Sequence, residues 1–154
     1  MNRIDRDWIV DVLVASAWAA LVSALPSTLW ELFTSGDPLE STRAAGAMLI
    51  PYGSSDSALI AAACVAHGLI TLFWATIIAW ALPRRHIVWT ATAAAAAIAF
   101  LDIKLIARYF FPDIYLLDFW PEFADHLAWG ATLGIALDWR WRERTEAKAQ
   151  RVAS

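Results

Sequence analysis

The stretch HIVWTATAAAAAIAFLDIKLIARYFF, residues 86–111, decides how this chain is organised. It contains no glycine or proline, and as a helix rising ~1.5 Å per residue it is long enough to cross a ~30 Å hydrocarbon core. Its second half nevertheless carries Asp102, Lys104 and Arg108. Lysine and arginine have long stems that reach a membrane interface, whereas aspartate does not. Asp102 therefore requires a polar partner inside the protein.

The composition is that of an integral membrane protein. Of the 154 residues, 60% are hydrophobic and ten are tryptophan, whereas a soluble domain is ~45–50% apolar. The single cysteine, Cys64, excludes an internal disulfide and a two-thiol redox centre, and we interpret it as a packing residue. We expect the lipid bilayer as the principal partner, and no nucleic acid.

Four apolar segments predict an all-α, integral membrane four-helix bundle that forms one domain over residues 1–154. The segments cover about residues 8–32, 57–82, 86–111 and 121–139, and each is long enough to span a bilayer. In the first loop, Asp37-Pro38-Leu39-Glu40 is typical of a helix start and predicts a short extra helix over about residues 38–49. Residues 140–154 are predicted to continue the fourth helix for a turn or two and then to fray as a cytoplasmic tail.

The placement of charged residues predicts the orientation. Arginine and lysine concentrate before the first segment, between the second and third, and after the fourth, whereas the other two loops contain only Arg43. Because positively charged loops stay in the cytoplasm, we expect an inner-membrane protein with both termini cytoplasmic. Acidic residues offset Arg3 and Arg6, which argues against a cleaved signal peptide.

The tryptophans lie near the predicted segment ends, as in an aromatic belt. We expect Trp8, Trp80, Trp89, Trp139 and Trp141 at the inner interface, and Trp30 and Trp120 at the outer one.

His67 and Asp102 are predicted to touch. The Arg84-Arg85 turn joins the second and third segments as an antiparallel hairpin, and His67 precedes this turn by about as many residues as Asp102 follows it. At ~1.5 Å per residue, both side chains fall roughly 25 Å from the inner surface. A carboxylate at that position orients the imidazole ring and stabilises its charged form.

Further polar residues are predicted at the same depth or nearer the outer surface. We expect Glu122 and Asp125 to pair with Lys104 or Arg108. His126 precedes the small-residue pattern Gly130-xxx-Gly134, which favours close contact with the alanine run of the third segment. The candidate residues of an outward-opening pocket are His67, Asp102, Tyr109, Asp125, His126, Arg43 and Glu31.

Several functions remain open at this point. The first is a pocket for a small ligand or a proton relay, which needs only titratable groups in a low-dielectric cleft. The second is a non-catalytic structural or assembly subunit, packed against itself or a larger membrane complex, in which His67 and Asp102 merely satisfy each other. The third is a metal-binding protein that uses His67, Asp102 and His126, or a haem-binding protein that uses His67 and His126. No serine nucleophile motif accompanies His67, so the sequence does not favour an enzyme.

Overall fold

The computed structural model describes residues 5–34 and 36–153, and the regular structure within these ranges is entirely helical. The all-α prediction is therefore confirmed. The elements are α1 (Arg6–Ser23), α2 (Leu25–Thr34), α3 (Glu40–Gly46), α4 (Asp56–Ala81), α5 (Ile87–Ala99), a π-helical turn (Phe100–Ile106), α6 (Ala107–Phe110), α7 (Pro112–Tyr115) and α8 (Phe119–Ala153).

Three segments of the described chain are long and apolar enough to cross a membrane. They are Arg6–Thr34, Asp56–Ala81 and Ile87–Phe110, with mean hydropathies of 1.9, 2.0 and 1.6. They indicate a membrane protein. The helix α8 is not among them, because its first turns contain Glu122, Asp125 and His126, so the fourth span remains a prediction.

The first predicted segment is interrupted. Asp5 caps α1 by accepting a hydrogen bond from the Trp8 amide at 2.7 Å. The helix ends at Ser23, and α2 begins at Leu25. Pro26 accounts for the break, because proline has no N–H to donate to the preceding turn.

The helices pack in an order that differs from their order in the chain. The helix α1 lies against both α4 and α8, and α5 packs on α8, whereas α4 and α5 make at most marginal contact within the described residues. All four contribute to one apolar core, which includes Ala15, Ala75, Ala91 and Leu133. The predicted hairpin of α4 against α5 is thus wrong, because α8 rather than α4 is the main neighbour of α5.

The glycines of α8 allow the closest helix contact. A Cβ atom on Gly130 would lie 2.4 Å from the Ala95 Cβ, and one on Gly134 would lie 2.6 Å from the Val88 Cα. The predicted close contact is confirmed. Gly134 faces Val88 near the start of α5, whereas the sequence predicted contact with the alanine run, residues 93–97.

We call the end of the molecule that carries Asp11, Arg84 and Arg140 the inner end, and the end that carries α3 and α7 the outer end. At the inner end, α8 continues as a helix to Ala153, so the prediction of a fraying tail is wrong. Trp8 and Trp141 are buried in the core there instead of facing a membrane interface. The other five tryptophans predicted at the interfaces have exposed side chains: Trp30, Trp80, Trp89, Trp120 and Trp139.

The π-helical turn determines which way Asp102 faces. The Ala107 amide donates to the Asp102 carbonyl, five residues earlier, instead of to the carbonyl four residues earlier. Such turns are rare and often occur at functional sites. Ile103 and Ala107 are buried beside it, whereas Tyr109 is 69% exposed. The predicted place of Tyr109 beside Asp102 in the pocket is therefore wrong, because the wider turn changes the angular spacing of the residues that follow.

Candidate functional site

His126 and Asp102 form the centre of the candidate site. The His126 Nε2 atom lies 3.7 Å from the Asp102 Oδ2 atom, and each side chain keeps about a quarter of its surface accessible, 24% and 25% respectively. The other ring nitrogen of His126, Nδ1, lies 2.8 Å from the carbonyl oxygen of Glu122, one turn earlier in α8. Both ring nitrogens are thus placed by neighbours on the protein.

Asp125, the residue before His126, is bound by the start of α2. Its Oδ1 atom accepts a hydrogen bond from the Ser27 amide at 2.9 Å. This amide is available because the break at Pro26 creates a new helix start, whose first N–H groups have no partner within the helix. The interruption of the first segment therefore provides a donor for a carboxylate on another helix. Only the folded chain shows that pairing.

His67 contacts α1 rather than the π-helical turn. Its Nε2 atom lies 2.9 Å from the Ser23 Oγ atom. The Ser23 hydroxyl has one proton, which the Ala20 carbonyl accepts at 3.1 Å, and in that arrangement His67 donates to Ser23. The His67 side chain therefore joins α4 to α1, and the pair formed by His126 and Asp102 joins α8 to the π-helical turn.

The predicted pairing of His67 with Asp102 is wrong. Asp102 pairs with His126, and His67 with Ser23. The predicted pairing of Glu122 and Asp125 with Lys104 or Arg108 is wrong as well. Glu122 accepts from the Ser41 hydroxyl at 2.6 Å, so that α3 is attached to the outer end of α8.

Arg43 lies in α3, outside this site. It forms ion pairs with Asp37 and, at 3.6 Å, with Asp56, so it does not join the pocket in which it was predicted. The Leu39 amide and the Arg43 guanidinium hold the pKa of Asp37 below its ordinary value of 3.8. These same contacts fix the start of α3, which begins at Glu40 and is shorter than predicted.

Glu31 and Tyr109, the remaining predicted pocket residues, lie elsewhere. Glu31 lines a separate cleft of about 270 Å³ at the outer end, together with Glu40 and Asp118. Tyr109 is on the outer surface of the molecule. Within residues 5–34 and 36–153, no three His, Cys, Asp or Glu side chains are arranged to hold a metal ion.

The tautomer of His126 follows from its contacts. A carbonyl oxygen only accepts hydrogen bonds, so Nδ1 carries the proton that the Glu122 carbonyl receives. In the neutral ring, Nε2 then presents a lone pair to the carboxylate of Asp102. Without a further proton, the lone pair of the His126 Nε2 atom repels those of the Asp102 carboxylate. When Nε2 binds a proton, the charged ring attracts the carboxylate instead. Chemically, the arrangement is a place for one exchangeable proton.

A second cluster, at the inner end, is absent from the sequence predictions. The Asp11 side chain has no exposed surface, and it pairs with the Arg140 Nε atom at 3.1 Å and with Arg144. Arg144 also lies 3.7 Å from Asp5 and 3.8 Å from Asp7. The acidic residues near the start of α1 and the arginines in the last third of α8 are visible in the sequence as two charge groups of opposite sign. Their distance along the chain conceals the pairing.

No protein-family model, curated protein or solved structure matches this chain.

Proposed function

We propose that this chain is a four-span inner-membrane protein with cytoplasmic termini and a proton-relay site in the outer half of its helices. Three apolar helices support the membrane location. The first half of α8 would be the fourth span, since it lies between α1 and α5 and shares their core. The excess of arginine at the inner end supports the orientation.

The observation that carries the proposal is the placement of His126. Its Nδ1 atom is held by a backbone carbonyl, and its Nε2 atom faces a carboxylate on a π-helical turn. Histidine changes charge near physiological pH, and ionisable residues at membrane depth are functional candidates by default. Each side chain keeps about a quarter of its surface accessible, which a pair that exchanges a proton with its surroundings requires.

Neighbouring groups extend the relay on both sides. Asp125 and Glu122 lie on the same face of α8, bound to Ser27 and Ser41 respectively. His67 and Ser23 lie towards α4. Ser23 and Ser41 each bind one titrating side chain, His67 and Glu122 respectively, and so help to hold these groups beside the central pair.

Nitrogen NMR of the purified chain tests the central contact directly. The chain contains three histidines, so single substitutions assign every imidazole signal. We expect neutral His126 as the Nδ1–H tautomer, and we expect its titration to change in Asp102→Asn. His86 is exposed and makes no capping hydrogen bond through its side chain, so it provides the reference. An Nε2–H tautomer of His126, or a titration that Asp102→Asn leaves unchanged, would contradict the proposal.

A transport assay tests the function itself. The chain is reconstituted in vesicles that enclose a pH-sensitive dye, and proton entry is followed after an imposed pH step. We expect proton entry above that of empty vesicles, and its loss in His126→Gln with retained folding. The matched control is His86→Gln, which should keep the activity of the parent chain.

The second candidate function is that of a structural or assembly subunit. It is favoured because polar side chains of the candidate site are hydrogen-bonded within the protein. Asp125 and Glu122 each have a hydrogen-bond partner inside the protein. This alternative predicts that His126→Gln and Asp102→Asn weaken folding or complex formation without affecting any proton flux. Elemental analysis and an absorption spectrum of the purified chain test the metal and haem alternatives.

A further inference from the structure

Two cationic side chains emerge from the last part of a membrane-crossing segment. Lys104 and Arg108 lie in the segment Ile87–Phe110, and both side chains are exposed. Lys104 is 17 residues beyond Ile87, which places it about 25 Å along the helix at ~1.5 Å per residue, near the outer edge of a hydrocarbon core. Arg108 follows Lys104 by four residues, which is close to one turn of either an α-helix or a π-helix, so the two cations lie on one side of the helix.

Neither cation has a carboxylate partner in the part of the chain that the structure describes. Each lies against an aromatic ring instead: the Lys104 Nζ atom is 4.4 Å from the Phe119 ring centre, and the Arg108 Cζ atom is 5.8 Å from that of Tyr109. By contrast, Arg43 is paired with two aspartates. Lys104 and Arg108 therefore keep their positive charge available at a surface that otherwise faces lipid.

The surface beside them is aromatic. The Phe100 ring contacts those of Phe119 and Phe123, each with centres 5.5 Å apart, and Phe119 contacts Trp120 at 5.1 Å. Phe100 is 54% and Trp120 is 72% exposed. Large apolar surfaces of this kind are stable in contact with acyl chains, and aromatic rings favour the level of the headgroups.

We propose that Lys104 and Arg108 bind the phosphate of an anionic phospholipid in the outer leaflet, with its acyl chains lying on the aromatic surface. A phosphodiester has charged acceptor oxygens that match an ammonium and a guanidinium group. Basic side chains next to membrane-crossing helices bind anionic headgroups on the cytoplasmic side, and the same attraction between charges acts at the outer leaflet. A headgroup without its own ammonium leaves the full negative charge for the two cations, so the site prefers phosphatidylglycerol to phosphatidylcholine.

Native mass spectrometry of the full chain tests this preference. The chain is released from nanodiscs that contain equal amounts of phosphatidylglycerol and phosphatidylcholine, and the lipids that remain bound are counted. We expect at least fivefold more retained phosphatidylglycerol, and a ratio near one for the double variant K104Q/R108Q. Arg85→Gln is the matched control, because Arg85 is an exposed cation at the inner end, and it should retain the preference of the parent chain.

Two further measurements separate the loss of lipid binding from the loss of folding, and the binding of a lipid from the binding of free phosphate. K104R/R108K keeps both charges and should retain phosphatidylglycerol, which separates loss of charge from loss of folding. Millimolar inorganic phosphate should not displace the lipid, because it lacks acyl chains. The proposal is wrong if K104Q/R108Q retains the parent preference, if Arg85→Gln abolishes it, or if free phosphate displaces the lipid.

Discussion

Replacement of glycine by alanine should lower the stability of the protein at position 130 and raise it at position 68. An alanine at position 130 would bring its Cβ atom to 2.4 Å from the Ala95 Cβ and 2.8 Å from the Ala91 carbonyl oxygen, whereas ordinary contacts are 3.4–4 Å. The helices α5 and α8 would have to separate by about 1 Å, and overpacking of this kind costs ~1–3 kcal/mol. At Gly68, no atom of the residues that the structure describes lies within 4 Å of the added atom.

The expected magnitudes follow from these contacts and from helix propensity. Alanine is favoured over glycine in a helix by ~1 kcal/mol, so Gly68→Ala should raise the free energy of unfolding by up to that amount. For Gly130→Ala, the separation of α5 from α8 outweighs the propensity, and we expect a net loss of about 1–2 kcal/mol. Gly134→Ala should lose at least as much, because the atom it meets at 2.6 Å belongs to the backbone of Val88, which cannot rotate away.

Unfolding in mixed micelles measures these differences. The detergent sodium dodecyl sulfate is titrated into each purified variant, and the loss of helical structure is followed by circular dichroism. The midpoint should fall for Gly130→Ala and rise for Gly68→Ala. A shift of equal size and sign in both variants would refute the idea that contact between α5 and α8 depends on these glycines.

Two further predictions concern charged residues. Arg144→Met should lower the free energy of unfolding by about 1.5–3 kcal/mol in the same titration, because it removes one of the two charged partners of the fully buried Asp11 and leaves Arg140 as the other. Arg142→Met, at a 73% exposed side chain, should cost less than ~0.5 kcal/mol. Equal losses in the two variants would contradict this expectation. The pKa of Asp37 is lowered in the folded protein, so the carboxylate stabilises the start of α3 above pH 3.8, and this stabilisation is lost as the pH falls through the pKa of the folded state. In NMR, the chemical shift of the Leu39 amide should therefore change with a midpoint below pH 3.8, and this change should be absent in Asp37→Asn.

The polar residues of the candidate site show how far the sequence leads. The polar residues on the third and fourth segments are visible as interruptions of apolar runs, and depth counted from the turns placed Asp102, Asp125 and His126 towards the outer surface. Their partners were not predictable. Asp102 meets His126 because α5 packs on α8, and His67 meets Ser23 because α4 packs on α1. Two helices joined by a short turn are often neighbours, but here the glycines of α8 provide a closer fit to α5.

Local features could not reveal the π-helical turn or the inner charge cluster. The turn at Asp102 depends on a hydrogen bond between residues five apart, which no residue type specifies. The pairing of Asp11 with Arg140 and Arg144 joins residues more than 120 positions apart. Both depend on which helix faces which.

The sequence by itself determined that this chain is helical and apolar enough to enter a membrane, because span length and hydropathy are sums over consecutive residues. Only the tertiary structure decided which charges meet. In lipid, helices associate through close packing and polar contacts rather than by burying apolar surface. Which helix packs against which therefore depends on how small residues fit together across the whole fold. That order makes His126 the partner of Asp102 and leaves Lys104 and Arg108 on the surface.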